Sequence, residues 1–458
     1  MPTTNAKGLF RCCGLRHTIR VAGGLVGSLA PRALRRIPPD GSVDHRVPGA
    51  INQRRRPVSG DLRHRVQGED TGHMKTIVVG GGVLGASTAY QLAKRGAEVE
   101  LFERGIPGGE ASAASLAWLN SNTKELRRYH DLNVMSMSEH RAVARELGTD
   151  RWLNGGGNLE VASTDEAAQA LRAKTERLHD YGYAAIELDP KDLPRYDPLI
   201  RVHDEYRTAV FFPGESWVDL PLLIHDLLRA ATAHGASVRA KTEVERLLVE
   251  SGTVKGVILG DGSQVRADRV VIAAGSQIGA LMREAGVEVS TVGEPGATVI
   301  TAPGTSDLSV LLHLPGLSVR PDAGGRLAVR STAGDRAVDM ANWTLPEANV
   351  TDLIRRAARG VADVDAASTR GERISIAARP YPLDGLPVAG FWDGVPNLYL
   401  LTMHSGATLS ALMGRLAAEE LFTGRAPSLL DGFRPSRLTS TPDKNAPGFD
   451  PHALEAEV

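Results

Sequence analysis

The sequence has few cysteines and no long apolar run. Its two cysteines, Cys12 and Cys13, lie in the first 73 residues, so residues 74–458 contain no disulfide, no thiolate metal site and no catalytic cysteine. A membrane-spanning helix needs about 18 or more consecutive apolar residues, and no stretch approaches that length. These absences predict a cytoplasmic protein without a transmembrane segment.

The sequence also has little net charge and few aromatic side chains. The 53 Lys and Arg nearly balance the 54 Asp and Glu, so the sequence does not favour nucleic acid as a partner. Aromatic residues make up 5% of the chain, which does not suggest a large aromatic substrate. The 42% hydrophobic and 23% charged residues are typical of a globular protein.

Residues 1–73 differ from the rest of the chain in charge and pattern. They carry 13 Lys and Arg against 5 Asp and Glu, and they show no sustained apolar period. We expect a basic segment without packed structure. Three interpretations stay open: a true start at Met74, a solvated basic arm, or a cleaved targeting peptide around the apolar run at 21–30. A chain beginning at Met74 is predicted to fold and to be active.

Residues 75–105 read as a strand, a glycine turn, a helix and a second strand. Gly80, Gly82 and Gly85 match the pattern G-x-G-x-x-G. This pattern needs a tight turn at the first glycine, close approach to a diphosphate at the second and close packing of helix on strand at the third. The helix predicted from about Val83 would direct its free N–H groups at the phosphates. The unit therefore predicts dinucleotide binding.

Glu103 ends the second predicted strand, 23 residues after Gly80. A carboxylate at this place accepts hydrogen bonds from ribose hydroxyls and repels a 2′-phosphate. The motif thus argues against NADP and leaves FAD and NAD open.

Three later segments resemble those of flavoproteins. Residues 267–275 read Ala-Asp-Arg-Val-Val-Ile-Ala-Ala-Gly, a buried strand that returns to the nucleotide domain. Residues 379–390 follow the pattern R-P-x-x-x-D-G-x-P-x-x-G. A strand at Leu398–Thr402, a small-residue turn and a helix predicted at Leu409–Leu421 close the series. This second helix N-terminus suits the pyrimidine side of a flavin, which gains negative charge on reduction.

On these motifs, residues 74 to about 430 resemble the FAD-dependent D-amino-acid oxidase superfamily, which includes glycine oxidase, sarcosine oxidase and D-amino-acid dehydrogenase. The resemblance implies an α/β fold in which an antiparallel or mixed-sheet α+β substrate domain is inserted into a Rossmann-like FAD-binding domain. We expect the FAD-binding domain at 74–118, 215–280 and 378–432, and the substrate domain at 119–214 and 281–377. Residues 433–458 are predicted to form a loosely ordered tail.

The resemblance also implies a set of site residues. The predicted cofactor-binding residues are Gly80, Gly82, Val83, Leu84, Gly85, Glu103, Arg104, Ser112, Ser115, Val244, Ala274, Gly275, Ser405, Gly406, Ala407 and Thr408. In the family, hydride passes from the substrate α-carbon to flavin N5, and the resulting imine hydrolyses. Arg379 lies where the family places an arginine for a substrate carboxylate, with a structural ion pair or a flavin contact as alternatives.

Two further residues are candidates near the substrate. Tyr381 shares a strand face with Arg379 and would supply a hydroxyl. His404 precedes the final turn, where it would contact flavin or substrate, or serve as a structural histidine. Arg320 and Arg330, on predicted strands, are second choices for the carboxylate.

Two departures from relatives concern the flavin and the electron acceptor. Relatives with covalent flavin use a cysteine or histidine that this sequence lacks at the matching places, so FAD is predicted to be noncovalent. Sarcosine oxidases activate oxygen with a lysine in the second substrate interval, but no lysine occurs between Lys255 and Lys444. Oxygen, a quinone or an electron-carrier protein therefore stay open as acceptors.

The predicted function is oxidation of the carbon–nitrogen bond of a small amino acid or secondary amine. Four alternatives stay open: a flavoprotein dehydrogenase with an acceptor other than oxygen, an NAD-dependent dehydrogenase, a flavin-bound protein without turnover, and a flavin hydroxylase of aromatic compounds. Bound flavin and its reduction by an amine would separate them.

Overall fold

The computed structural model describes residues 74–283, 286, 287, 289 and 291–438. The expectations for residues 1–73 and 439–458 lie outside the described residues. The described strands, in chain order, are β1 (Lys75–Val79), β2 (Glu98–Phe102), β3 (Trp118–Leu119), β4 (Leu153–Asn154), β5 (Asn158–Ala162), β6 (Ile186–Leu188), β7 (Thr208–Phe212), β8 (Ser216–Val218), β9 (Ser237–Arg239), β10 (Val244–Glu250), β11 (Thr253–Leu259), β12 (Gln264–Arg266), β13 (Arg269–Ile272), β14 (Thr291–Thr301), β15 (Leu311–Leu314), β16 (Leu317–Asp322), β17 (Arg326–Arg330), β18 (Gly371–Pro382), β19 (Val388–Phe391) and β20 (Leu398–Thr402).

The described α-helices are α1 (Val83–Lys94), α2 (Arg127–Leu147), α3 (Asp165–Asp180), α4 (Leu220–Ala233), α5 (Ile278–Arg283), α6 (Thr332–Arg336), α7 (Glu347–Gly360) and α8 (Gly406–Thr423). Short 3₁₀ helices occupy Pro190–Arg195, Gly275–Gln277, Ser428–Leu430 and Pro435–Leu438. None of the described helices is both long and apolar enough to cross a membrane.

A six-stranded sheet holds the glycine turn. Its strand order is β19-β20-β13-β1-β2-β9, and all neighbours are parallel except β19, which is antiparallel to β20. Val78 of β1 packs into the core formed with α1, α4 and α8, while Ile77 and Val79 pack on the opposite face against β10 and β11. Helices or strands thus cover both faces of β1, which explains its uninterrupted apolar sequence.

An eight-stranded sheet, built from strands within residues 158–212 and 291–382, forms the second half of the structure. Its order is β18-β14-β17-β16-β15-β5-β7-β6, and it is mixed because β15 and β5 are parallel while the other neighbours are antiparallel. The apolar face of α7, including Leu353, Ile354 and Ala357, packs into the core of this half. The predicted α/β fold with a mixed substrate sheet is confirmed.

The loop before β3 joins the two halves. The Thr298 hydroxyl of β14 donates to the Ala114 carbonyl at 2.7 Å, and Nε of Arg320 on β16 donates to the Leu116 carbonyl at 2.8 Å. Arg320 also pairs with Asp322. It also donates to the Pro321 carbonyl at 2.8 Å. Since these contacts are all structural, the second-choice role of Arg320 with substrate is not supported by them.

Two predicted boundaries differ from the structure. The boundary at residue 378 falls inside β18, which pairs with β14 as far as Pro382. Residues 433–438, predicted as part of a loose tail, are packed: Phe433 is 1% exposed, and Arg434 donates to both carboxylate oxygens of Glu420 at 2.7 and 2.6 Å. The prolines suggested a tail, but the pattern of prolines does not report the long-range ion pair that fixes this segment.

Candidate active site

A cavity of about 870 Å³ is lined by both halves of the described chain. Every predicted cofactor-binding residue except Gly85 lies on its wall. Arg379, Tyr381 and His404 line it as well. The structure therefore brings nearly all the candidate residues into one space, although their individual roles stay predictions.

The first and third glycines of the turn are required by the fold. Gly80 has φ +107°, and a Cβ there would lie 2.5 Å from the Ala273 carbonyl oxygen. A Cβ at Gly85 would overlap the Gly80 carbonyl oxygen. Gly85 itself is buried beneath the turn, in its predicted packing role.

Gly82 has a different reason to be glycine. Its φ is −70°, and the nearest atom to an added Cβ is Ser112 Oγ at 3.6 Å, so neither strain nor crowding excludes a side chain. The residue is the N-cap of α1, where no side chain caps the helix. The Val83 N–H donates to Ser112 Oγ at 3.3 Å. This helix start, with open space in front of Gly82, fits the diphosphate of a dinucleotide.

Glu103 lies at the end of β2, as predicted, and lines the cavity. Its two carboxylate oxygens accept N–H bonds from Gly81 at 2.8 Å and from Gly105 at 2.7 Å. Each oxygen keeps a second acceptor position for a ribose hydroxyl. The neighbouring Arg104 is paired with Glu110. The carboxylate thus shapes the turn as well as facing the nucleotide space.

The remaining predicted contacts lie around this space. Ala274 and Gly275 follow β13, Val244 opens β10, and Ser115 Oγ accepts the Ala117 N–H at 2.9 Å. This bond stabilises the turn in which Ala117 has φ +55°. Ser115 is therefore committed to the backbone in addition to lining the cavity.

The N-terminus of α8 is held by side chains of α2 and by the backbone of β3. The Tyr129 hydroxyl donates to Ser405 Oγ at 2.8 Å, and the Thr408 hydroxyl donates to the Trp118 carbonyl at 3.2 Å. His140 Nε2 donates to the carbonyls of Ala407 and Thr408 at 3.0 and 3.1 Å. Burial lowers the pKa of His140 to about 4, so it is neutral at pH 7.

Arg379 is part of a buried ion cluster. Its Nη2 donates to the Pro295 carbonyl at 2.9 Å and to Asp335 Oδ2 at 3.0 Å. Arg330 also pairs with Oδ2, while Oδ1 accepts the Ala297 N–H at 2.7 Å. Two guanidinium groups share this one carboxylate, which is 1% exposed. The alternative of a structural ion pair for Arg379 is thus observed, and its role with a substrate carboxylate stays a prediction.

Tyr381 and His404 form a stacked pair beside this cluster. Their ring centroids are 4.1 Å apart with planes 14° from parallel, and the Arg379 guanidinium lies 5.7 Å from the Tyr381 ring. Burial, and after it the nearby positive charges, hold the pKa of His404 well below its usual value; these charges are on Lys124, Arg379 and Arg330. At pH 7 the imidazole is neutral, and one face of its ring packs against Tyr381.

Sequence reasoning missed Asp335, Lys124 and Glu215. Asp335 is the shared partner of the two arginines, Lys124 lines the cavity, and Glu215 is 2% exposed beneath it. None lies in a recognisable motif. Asp335 lies in the short helix α6, and its contact with Arg379 joins residues 44 positions apart, so no local periodic signal reports it.

Together, the doubly covered sheet, the open helix start and the shared cavity define an FAD-binding oxidoreductase. The family model for FAD dependent oxidoreductases, DAO, matches residues 75–420, and the chain belongs to this family. Its cofactor is therefore FAD, and the protein is an enzyme. The family assignment favours FAD over the NAD-dependent alternative.

Known relatives and structures agree with this assignment. Glycine oxidase of Geobacillus kaustophilus is 28% identical over 75% of this chain and 91% of its own length. D-amino acid dehydrogenase of Methylobacterium sp. strain 4-46 is 26% identical over 78% of this chain and 97% of its own. The crystal structure of the Geobacillus glycine oxidase matches with a TM-score of 0.71 and 26% identity, covering 80% of this chain and 99% of that one.

Proposed function

We propose that the protein oxidises the carbon–nitrogen bond of a small amino acid or secondary amine, with Arg379 binding the substrate carboxylate. The observation that carries this proposal is that Arg379 lines the same cavity as the glycine turn. The planar guanidinium group of arginine matches the geometry of a carboxylate and favours an anionic ligand. Similarity to glycine oxidase and D-amino acid dehydrogenase supports the same substrate class.

The residues of the chain would bind, orient and enclose the substrate. Gly82, Glu103 and the α1 N-terminus would hold the nucleotide part of FAD, and the α8 N-terminus would face its pyrimidine side. Bound flavin supplies the two-electron acceptor for the oxidation. Tyr381 and His404 would form an uncharged wall beside the carboxylate, and the enclosing cavity would exclude water.

The electron acceptor and the location belong to this proposal as well. Oxygen, a quinone or an electron-carrier protein would reoxidise the flavin, and similarity to both an oxidase and a dehydrogenase supports each possibility. The absence of cysteine from residues 74–458 supports a reducing cytoplasm.

An anaerobic spectral titration of the full-length protein with glycine, sarcosine, proline and D-amino acids tests the proposal. Bleaching of the flavin band is expected with at least one of these. Rapid recovery after air is admitted would identify an oxidase, and bleaching without recovery a dehydrogenase. A bound flavin that no amine bleaches would contradict the proposed function.

A further inference from the structure

Lys124 is a buried cation on the cavity wall. It lies in the loop between β3 and α2 and is 8% exposed. Its Nζ donates to Thr123 Oγ1 at 2.6 Å and lies 5.5 Å from the centre of the Tyr129 ring. Within the part of the chain that the structure describes, no carboxylate oxygen comes within 4.0 Å of this Nζ. Lys124 therefore brings a positive charge to the cavity without a carboxylate in contact.

The cations that α3 and the eight-stranded sheet contribute to the cavity wall differ from Lys124 because each has a carboxylate partner. Lys174 of α3 is paired with Glu160, and Arg177 of the same helix lies 3.9 Å from Glu125. The arginines of β17 and β18 share Asp335, as described above. Among the described cations contributed by α3 and the eight-stranded sheet, each that lines the cavity thus has a carboxylate, whereas Lys124 does not.

The acid that acts on the Lys124 charge is Glu215, and its carboxyl group is hydrogen-bonded to other donors. It accepts hydrogen bonds from Trp118 Nε1 at 2.8 Å, from the Tyr183 hydroxyl at 2.8 Å and from Asn158 Nδ2 at 3.1 Å. Burial raises the pKa of Glu215 to about 8 and lowers that of Lys124 to about 8, with Glu215 opposing the second shift. Glu215 thus acts on the pKa of Lys124 from a distance and does not contact its ammonium group.

Lys124 and Arg379 are separate but neighbouring cationic centres. Arg379 contacts the Tyr381 ring, which stacks on His404. On the other side, Ser405 accepts from Tyr129, whose ring faces Lys124. The two centres are thus connected through Tyr381, His404, Ser405 and Tyr129, and both act on the His404 imidazole. Because both line one cavity, a small molecule with two acid groups suits them.

We propose that Lys124 binds a second acidic group of the substrate, so that the preferred substrates are amino acids with two carboxylates. The first carboxylate is held by Arg379, and the inference rests on the proposed function. A buried ammonium without an ionic partner is costly, and a second carboxylate supplies that partner. An amide at the same place leaves the ammonium without a negative charge, which disfavours the neutral analogue.

The test compares acidic amino acids with their amides on the full-length holoenzyme. Anaerobic stopped-flow measures flavin bleaching by both enantiomers of aspartate, asparagine, glutamate and glutamine, and gives the limiting rate divided by the dissociation constant. The variants are Lys124→Met, which removes the charge at similar length, and Lys124→Arg, which keeps it. Lys191→Met, an exposed lysine of the substrate half, controls for a change in total charge.

A second readout does not depend on turnover. Succinate, glutarate and butyrate are titrated against the flavin absorbance of the same proteins, so that dicarboxylate binding is measured without oxidation. Circular dichroism confirms that each variant is folded.

The expected preference for the acidic member of each pair is about tenfold to a hundredfold, the range of a charge-assisted hydrogen bond. Lys124→Met should remove most of this preference and weaken succinate or glutarate about tenfold relative to butyrate. Lys124→Arg should keep it, and Lys191→Met should match the unaltered protein.

Two results would overturn the inference and leave the proposed function intact. One is bleaching by neutral amino acids at least as efficient as bleaching by acidic ones. The other is a Lys124→Met variant that loses acidic and neutral substrates equally, which would assign Lys124 to the flavin or to the single α-carboxylate. If no amino acid bleaches the flavin, the proposed function itself is wrong, and the inference falls with it.

Discussion

At the scale of residues, one carboxylate joins two arginines that line the cavity. Asp335 is 1% exposed and pairs with both Arg330 and Arg379. Removing one partner of a buried ion pair leaves an uncompensated charge, so the three side chains depend on one another. The cluster is therefore a structural element that holds Arg379, the residue proposed to bind the substrate carboxylate.

Replacing Asp335 by Asn is predicted to destabilise the protein. The change removes the buried carboxylate that the guanidinium groups of Arg330 and Arg379 share, which costs about 3–5 kcal/mol in the free energy of unfolding. Urea unfolding followed by circular dichroism measures the difference. Asp339→Asn, at an exposed position nearby, should change stability by less than about 0.5 kcal/mol. Equal stabilities of the two variants would contradict the proposed importance of the cluster.

Replacing Arg379 by Met is predicted to weaken substrate binding and spare flavin binding. Loss of a charge-assisted bond to the carboxylate should raise the substrate dissociation constant about tenfold to a hundredfold. The anaerobic titration measures this constant, and flavin fluorescence measures retained FAD. Arg373→Met removes the same charge from an exposed position on β18 and serves as the control. An unchanged dissociation constant in Arg379→Met would show that another residue binds the carboxylate.

At the scale of elements, the β1–turn–α1 unit separates the needs of the fold from those of the ligand. Neighbouring protein atoms leave no room for a side chain at Gly80 or Gly85, whereas a Cβ at Gly82 would have open space around it. The sequence spacing predicted this unit well, because its three glycines are close along the chain and each has a local role. The final strand and helix were predicted for the same reason, although α8 begins at Gly406, before the predicted Leu409.

The Gly82→Ala variant is predicted to fold normally and lose FAD affinity. Its backbone is compatible with alanine, but the added methyl group would occupy the approach of the diphosphate, at a cost of about 1–3 kcal/mol or about tenfold to a hundredfold in affinity. Isothermal titration of the flavin-free protein with FAD measures the effect.

Gly85→Ala is the matched comparison, because its Cβ would meet the Gly80 carbonyl. This variant should lower the unfolding free energy of the flavin-free protein itself. Unchanged FAD affinity in Gly82→Ala would place the diphosphate elsewhere.

At the scale of the whole molecule, contacts between distant segments carry what the sequence did not predict. Asp335 of α6 pairs with Arg379 of β18, and Lys124 reaches the cavity from a loop without a motif. Similarity to sarcosine oxidase points to a lysine in the second substrate interval, whereas the two lysines that line the cavity, Lys124 and Lys174, come from the first. Periodicity and motif spacing report local structure, so they cannot report pairings that depend on how the sheets pack.

Buried histidines are predicted to make the whole molecule sensitive to acid. Burial lowers the pKa of His140 to about 4 and that of His313 to about 3 from an ordinary 6.5. Below pH 6.5 these histidines are protonated in the unfolded chain but stay neutral in the folded protein. The free energy of unfolding therefore falls as the pH drops towards 4. Between pH 6.5 and 5 each histidine contributes a loss of about 2 kcal/mol.

Urea unfolding at pH 7 and pH 5 checks this prediction. His140→Gln should lose its share of the acid sensitivity, because its amide can donate to the same carbonyls without titrating. His234→Gln, at an exposed position, should keep the full dependence. Equal pH dependence in His140→Gln and the unaltered protein would contradict the assigned cause.

The central claim, oxidation of an amino-acid carbon–nitrogen bond by the bound flavin, is tested most directly by a single-turnover product analysis. The full-length holoenzyme is mixed anaerobically with excess of each amino acid, and reduced flavin, carbonyl product and released ammonia or amine are quantified together. The account predicts equal amounts of reduced flavin, keto acid or aldehyde, and nitrogen product with at least one substrate. Flavin that stays oxidised with every amino acid, or bleaching without a carbonyl product, would contradict it.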